Sequence, residues 1–376
     1  MQLYSRRLCQ ALLTMLAGMI FIGCLFSGFL CASSRIYDDL LSVTYPNEKE
    51  GWACGRWGMV IHTKDEGHTW ERQNTGTDYG LFSIHFVDSR HGWAVGDEGT
   101  IIHTADGGKS WSRQKAPTYS GRKIRVTKDG GRTFEMVESE EHYTLMDVFF
   151  VTPTTGWIVG EETHIFYTEN GGKTWSLQFK DEDYILKAVS FSSPLIGWAV
   201  GEYGFTYHTA DGGKTWEHQA GFCRVSDETD EIEGGAFLFD ITAIDKRTAW
   251  AVGIDGYVTK TEDGGKTWVK IKTGVRETQL FGIATDKKNT IVIGGKGVCI
   301  VSTDNGKTWY EPELKPPITY GWIYGIDYIF HSGFITVGYK SSIYLSSGKN
   351  VERPWINVSS QVDNLRNHLE SDNDRK

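Results

Sequence analysis

Thr104-Ala105-Asp106-Gly107-Gly108-Lys109-Ser110-Trp111 is one copy of an eight-residue phrase that recurs along this chain. Thr209 to Trp216 and Thr261 to Trp268 repeat it closely, while Thr63 to Trp70, Thr168 to Trp175 and Ser302 to Trp309 carry small changes. The chemistry is that of a tight hairpin between two strands. The carboxylate at the third position can accept hydrogen bonds from backbone N–H groups that follow it, and glycine supplies the positive φ the turn needs. The terminal Trp is a large apolar group able to wedge between layers. On this reading the tryptophans that end the phrase, Trp70, Trp111, Trp175, Trp216, Trp268 and Trp309, belong to the core.

The spacing decides the architecture. Asp65 to Asp106, Asn170 to Asp211 and Asp263 to Asp304 are each 41 residues apart. A second phrase precedes each copy: Gly51-Trp52-Ala53-Cys54-Gly55, Gly92 to Gly96, Gly156 to Gly160, Gly197 to Gly201 and Ala249 to Gly253. Ile291 to Gly294 and Phe334 to Gly338 continue it in weaker form. A period near 41 with four short apolar runs in each unit is that of a β-propeller blade. Counting the second phrase predicts an all-β, seven-bladed β-propeller over about residues 41–358, closed so that no sheet edge is left along the ring. In the unit around Asp106, Leu81 to Phe86 reads as strand a, Trp93 to Val95 as b, Thr100 to His103 as c and Trp111 to Gln114 as d. The repeated phrase is then the c–d hairpin.

The phrase resembles the Asp-box of the Asp-box (BNR-type) propeller superfamily. Asp65, Asp106, Asp129, Asn170, Asp211, Asp263 and Asp304 are its structural acid or amide positions. Asp129 stands apart. It lies in Thr127 to Phe134, inside an insertion with no strand a or b before it, and this reads as an extra basic hairpin over about 119–141 rather than an eighth blade. A second insertion, about 222–235, carries the acids Asp227, Glu228, Asp230, Glu231 and Glu233. It has no calcium-loop spacing and reads as a solvated loop.

Residues 8 to 34 carry no charge and follow Arg6 and Arg7, whereas Asp38 and Asp39 lie beyond. The run is long enough to span a bilayer, and its flanks predict export of the rest of the chain. Residues 1–34 therefore read as a signal peptide or membrane anchor helix, the uncleaved anchor fitting length and flanks best. Phe21-Ile22-Gly23-Cys24 is only loosely like a lipobox. The expected location is the outer side of the cytoplasmic membrane. Polar residues 360–376 form a tail with the composition of a disordered segment. Cys54, Cys223 and Cys299 follow the leader, and their spacing suggests neither metal ligation nor a disulfide framework. No cofactor is expected. A net charge of −9 with mixed signs gives no case for nucleic acid.

Antiparallel neighbours place the a–b and c–d turns on one face of the ring, and the b–c turns and d–a crossovers on the other. Both insertions are crossovers. The second face is therefore the candidate partner-binding surface, with Arg56, Trp57, Glu98, Glu162, Glu202, Tyr203, Asp255 and Lys296 from b–c turns and Arg122, Arg125 and Arg132 from the basic hairpin. No residue is assigned a catalytic or metal-binding role.

Repeats of Gly-Trp-Ala-Val-Gly followed by Thr-x-Asp-Gly-Gly-Lys-Thr-Trp resemble the photosystem II stability/assembly factor family over nearly all of residues 41–358. That resemblance implies an exported, non-catalytic propeller that assists assembly of a membrane protein complex through a protein partner. The alternative class is a sialidase-like or other glycoside hydrolase, or a carbohydrate-binding propeller. The sialidase Phe/Tyr-Arg-Ile-Pro phrase is absent. Asp97, Glu98, Glu161, Glu162, Glu202 and Asp255 keep a carboxylate-pair chemistry open.

Overall fold

Strand b shows why the repeat folds as it does. Gly92–Gly96, GWAVG, is buried at every position, as are Gly51–Gly55, Gly156–Gly160, Gly197–Gly201 and Ala249–Gly253. A strand covered on both faces must sit in the middle of a sheet between two neighbouring sheets. Its last glycine is obligatory: a Cβ on Gly96 would run into the Gly80 carbonyl, and the same clash recurs at Gly55, Gly160, Gly201, Gly253, Gly295 and Gly338.

The computed structural model describes residues 38–126, 135–225, 232–318, 320–348 and 350–359, with backbone alone for 118–126, 135–142, 225 and 232. Seven antiparallel sheets follow one another around a ring. Their inner strands a are Leu40–Thr44, Leu81–Phe86, Leu145–Phe150, Leu186–Phe191, Leu238–Ala243, Leu280–Thr285 and Ile323–Ile329. The leader, Asp129, Arg132, Asp227, Glu228, Asp230, Glu231 and the tail lie outside the described residues.

The cores lie between blades. Trp52 stacks on Phe86 of the next blade at 3.8 Å, Trp93 on Phe150 at 3.6 Å and Trp157 on Phe191 at 3.7 Å. A box tryptophan meets the same Phe edge-on in each case: Trp111, Trp175 and Trp216. This corrects the sequence expectation. The five strand-b tryptophans are wholly buried, as are Trp70 and Trp355, whereas in the box set Trp70 and Trp216 are buried and Trp111, Trp175, Trp268 and Trp309 are half-buried. The box Trp closes the outer end of the interblade layer, so one edge stays near solvent.

Blade 7 and blade 1 exchange no strand, each being built from one end of the described chain. Their seam is closed by hydrogen bonds. Tyr45 N–H donates to Asp327 Oδ2 at 2.6 Å, Lys340 N–H to Asp39 Oδ1 at 3.0 Å, and the Ser341 hydroxyl to the Asp38 carbonyl at 2.7 Å.

Two pairs of strands stand outside the blades. Thr118–Val126 and Glu135–His142 form one antiparallel hairpin between blades 2 and 3. The region read as a solvated acidic loop contains a second, Cys223–Val225 with Ile232–Gly234, between blades 4 and 5. Blade 6 has only three strands, and Leu314–Lys315 pairs in parallel with the outer strand Trp355–Asn357 of blade 7.

Candidate functional site

The two faces are separated by hydrogen bonding. On one, each box turn is tied to the a–b turn of its own blade: Gly107 N–H to the Arg90 carbonyl, Gly171 to Thr154, Gly212 to Leu195 and Gly264 to Arg247, all within 2.9–3.0 Å. Within the box, the Thr104 hydroxyl donates to Asp106 Oδ1 and accepts from Gly108 N–H at 2.8 Å. Asp106 in turn accepts the Ser110 N–H at 2.9 Å and its hydroxyl at 2.6 Å. The pattern repeats around Asp65, Asp211, Asp263 and Asp304, and around Asn170, whose Oδ1 accepts Thr174 N–H while its Nδ2 donates to the Thr174 hydroxyl. These bonds favour the charged form, and they hold Asp106, Asp211, Asp263 and Asp304 down at about 2. Strand d adds glutamines that reach the next box: Gln73, Gln114, Gln178 and Gln219 donate to the carbonyls of Gly107, Gly171, Gly212 and Gly264. The carboxylate or amide at the third box position and the hydroxyls at the first and seventh are occupied by structure.

On the other face, each b–c turn is tied to the entry of strand a. Arg56 N–H donates to the Asp39 carbonyl, Asp97 to Gly80, Glu161 to Thr144, Glu202 to Ile185, Ile254 to Phe237, Lys296 to Gln279 and Tyr339 to Trp322. The next residue of the turn is left-handed: Trp57, Glu98, Glu162, Tyr203, Asp255 and Lys340 have φ of 52–57°, and Gly297 has 70°. A left-handed non-glycine residue carries strain of order 1–3 kcal/mol. That geometry throws the side chain outward, and Trp57 is 64% exposed. Tyr203 instead packs on Tyr184 and Phe237.

The acids of this face are not equivalent. Glu161 Oε2 accepts Thr144 N–H at 3.0 Å and Glu202 Oε2 accepts Ile185 N–H at 3.2 Å, so both brace strand a of their own blade. Glu162 pairs with Lys180 at 3.0 Å. Glu98 and Asp255 are exposed. Around the ring, the turns of blades 2–5 carry Asp97-Glu98, Glu161-Glu162, Glu202 and Asp255, whereas blades 6, 7 and 1 carry Lys296, Lys340 and Arg56. Because blade 7 adjoins blade 1, the cations form one continuous arc. Exposed aromatics share it: Trp57, Tyr320, Trp322 and Tyr339, with Lys296 lying 6.0 Å from the Trp322 ring centroid and Lys340 5.2 Å from that of Tyr339.

Inside this face opens a central channel of about 390 Å³. The second residue of each strand a rings its mouth: Leu41, Phe82, Met146, Lys187, Phe239, Phe281 and Tyr324. Burial pulls the Lys187 amine down, opposed by the charges of Glu202 and Glu161. Deeper lie three carboxylates that the sequence reading missed. Asp147 Oδ2 accepts Val189 N–H of the next blade at 2.8 Å, Asp240 Oδ2 accepts Ile283 N–H at 2.8 Å, and Asp327 makes the seam bond to Tyr45. Each Oδ1 also accepts the N–H of its own following residue. Burial pushes the three up, to about 6, 8 and 7 in that order, with Asp240 raised further by the charges of Asp147 and Asp327. The signal that could have found them is a charged residue in an otherwise apolar strand a. Among the described residues no group of His, Cys, Asp and Glu is arranged to hold a metal. Burial pushes the thiols of Cys54 and Cys299 up, Cys299 to about 12.

The family model described as Photosynthesis system II assembly factor YCF48 matches residues 73–130, 126–221 and 224–319. No curated protein matches the chain in sequence. Among solved structures, YCF48 bound to D1 peptide is similar at 18% identity and TM-score 0.61, over 82% of this chain and 91% of that one. YCF48 from Cyanidioschyzon merolae is similar at 18% identity and TM-score 0.60, over 82% and 94%. The GH74 xyloglucanase from Xanthomonas campestris shares the fold at 11% identity and TM-score 0.61, over 85% of this chain and 54% of the enzyme.

Proposed function

This chain belongs to the photosynthesis system II assembly factor YCF48 family, and from that premise we propose that it is a non-catalytic, exported and membrane-tethered propeller that captures a polypeptide segment of a membrane-complex subunit. The observation that carries this is the polarised b–c face, where a continuous basic and aromatic arc on blades 6, 7 and 1 adjoins a channel mouth ringed by Leu41, Phe82, Met146, Phe239, Phe281, Tyr324 and Lys187. Aromatic and Arg side chains are the residues that anchor protein interfaces. The relative solved with a D1 peptide binds a polypeptide, which supports the same class of ligand here. The leader with Arg6 and Arg7 before it supports tethering.

The bonding of Glu161 and Glu202 to strand a favours scaffold over hydrolase, since two of the carboxylates on the face already have structural work. The experiment is crosslinking and co-purification from membranes with two sets of variants. Arg56→Glu, Trp57→Ala and Lys340→Glu, and separately Arg122→Glu, Arg125→Glu and Arg132→Glu, should weaken capture, most visibly at low salt. Lys109→Glu and Lys214→Glu on the box face should not. Loss of capture from the box set alone would refute the assignment of faces. Turnover of aryl glycosides abolished by Glu162→Gln or Glu202→Gln would replace the scaffold reading with an enzyme.

A further inference from the structure

Blade 6 lacks the strand that every other blade has. Its sheet ends at Val298–Ser302, the c strand, which pairs inward with Ile291–Gly295. The cause is one residue. In blades 2 and 5 the residue ten places after the box Thr donates its N–H to the residue three places before it: Gln114 to Ile101 and Ile271 to Val258, both at 2.8 Å. Counting from Ser302, the donor position is Pro312 and the acceptor is Cys299. Proline has no N–H to give. Strand d therefore stops after one bridge, in which Val301 and Tyr310 exchange both bonds at 2.8 and 3.0 Å. The chain then leaves to pair with blade 7.

What remains is an edge whose Cys299 backbone is left unpaired on its outer side, with Cys299 and Ile300 themselves buried, and a wall beside it. Backbone groups two residues apart on a strand face the same way, so the N–H and C=O of Cys299 point outward like those of Val301. No described backbone group bonds them there. Beside the edge is a cleft of about 670 Å³, lined by Val298, Ile300, Tyr310, Val275, Arg276 and Lys296. The buried Tyr310 hydroxyl has no hydrogen-bond partner. Arg276 and Lys296 are exposed, and neither is in an ion pair among the described residues; Glu311 is the one acid of the lining.

We propose that blade 6 is a strand-addition site, at which an extended acidic segment of a partner polypeptide lies along Val298–Ile300 as the missing fourth strand. Main-chain bonds to Cys299 supply the affinity, and alternate side chains reach the cleft. Arg276 and Lys296 select for carboxylates on the segment. The inference rests on the polypeptide-capture reading and adds a second contact, along the outer edge of blade 6, which shares Lys296 with the arc of the b–c face.

The test uses the full chain in detergent and a fluorescein-labelled peptide, Glu-Val-Thr-Val-Glu-Val-Thr-Glu, with binding read by anisotropy. A version with Lys for Glu and one N-methylated at alternate amides are the controls. The acidic peptide should bind at least about tenfold more tightly than either. Pro312→Val restores the donor, lets the chain complete its own strand d, and should weaken the peptide by about tenfold or more while leaving the melting temperature unchanged or higher. Arg276→Glu should weaken it in a chain whose fold is untouched. Arg56→Glu and Lys340→Glu should leave it bound, which separates failure here from failure of the mouth. Equal binding of the N-methylated peptide, an unaffected Pro312→Val chain, or no binding of the acidic peptide would each overturn the proposal. Tighter binding after deletion of residues 361–376 would do so too, by making the chain's own tail the occupant.

Discussion

Asp327→Ala should open the ring at its seam, and the size of the effect should depend on pH in a defined direction. The carboxyl accepts two backbone N–H groups, Tyr45 across the seam at 2.6 Å and Tyr328 at 2.7 Å. Leaving a buried N–H unpaired costs about 1–3 kcal/mol, so the loss of both is worth about 2–6 kcal/mol. Burial raises the group from 3.8 to about 7. A raised acid stabilises the fold fully below its ordinary value and loses that contribution as pH rises through the folded value. At 1.36 kcal/mol per unit, the contribution lost is of order 4 kcal/mol. The variant's deficit should therefore be largest at about pH 4 and below and should shrink as pH rises toward 8. Urea unfolding midpoints at fixed slope measure it, and hydrogen exchange at the Tyr45 amide reports whether the seam is where the ring opens. A deficit that grows with pH would show the ionised carboxylate to be the staple and would refute the burial argument. A deficit below about 1 kcal/mol at pH 5 would refute the seam argument itself.

Asp147→Asn and Asp240→Asn should flatten the fall in stability that the wild-type chain shows as pH rises, through about 6 and about 8 respectively, since burial raises both acids. His62 and His85 act in the opposite sense: burial lowers them to about 4, so their contribution is complete above 6.5 and is lost as pH falls through 4. His85→Gln should accordingly be more acid-resistant than the wild type, measured as the unfolding midpoint at pH 4.5 against pH 7. Trp198→Ala should cost about 3–5 kcal/mol, because the residue is wholly buried. Trp268→Ala, half-buried with an indole N–H that has no partner, should cost clearly less; equal losses would contradict the burial pattern.

The blade count was legible because two phrases mark three of the four strands in a blade. Gly-Trp-Ala-Val-Gly demands a strand covered on both sides, and the box demands a hairpin, so neither can shift without a clash or a lost bond. The box Trp was placed in the core without the layer it occupies. Hydrophobicity alone ranks Trp111 with Trp93, and only the stacking of strand b against the next blade's Phe tells the inner from the outer layer. The acids of the b–c turns were read as one set because they share a turn, although Glu161 and Glu202 hold its first position and Glu98, Glu162 and Asp255 its second. Their bonds follow that position: Glu161 and Glu202 reach back to strand a, whereas Glu162 turns outward to Lys180.

The channel acids mark a different boundary. Aligning the inner strands puts Ser42, Ser83, Asp147 and Asp240 at one level, and all four accept a backbone N–H of the next blade. At that level the edges of two strands meet without pairing, and a short polar side chain is the only group that can reach across. Blade 6 has Gly282 there, where a Cβ would lie 2.8 Å from the Tyr324 carbonyl, so the two backbones approach directly instead. The polar residues of strand a are therefore a joint that lets seven separate sheets behave as one ring. The b–c face gains from that stiffness. Its charged turns hang from strand a through the seven repeated backbone bonds, so any partner gripping the arc across blades 6, 7 and 1 pulls directly on the Asp327 seam.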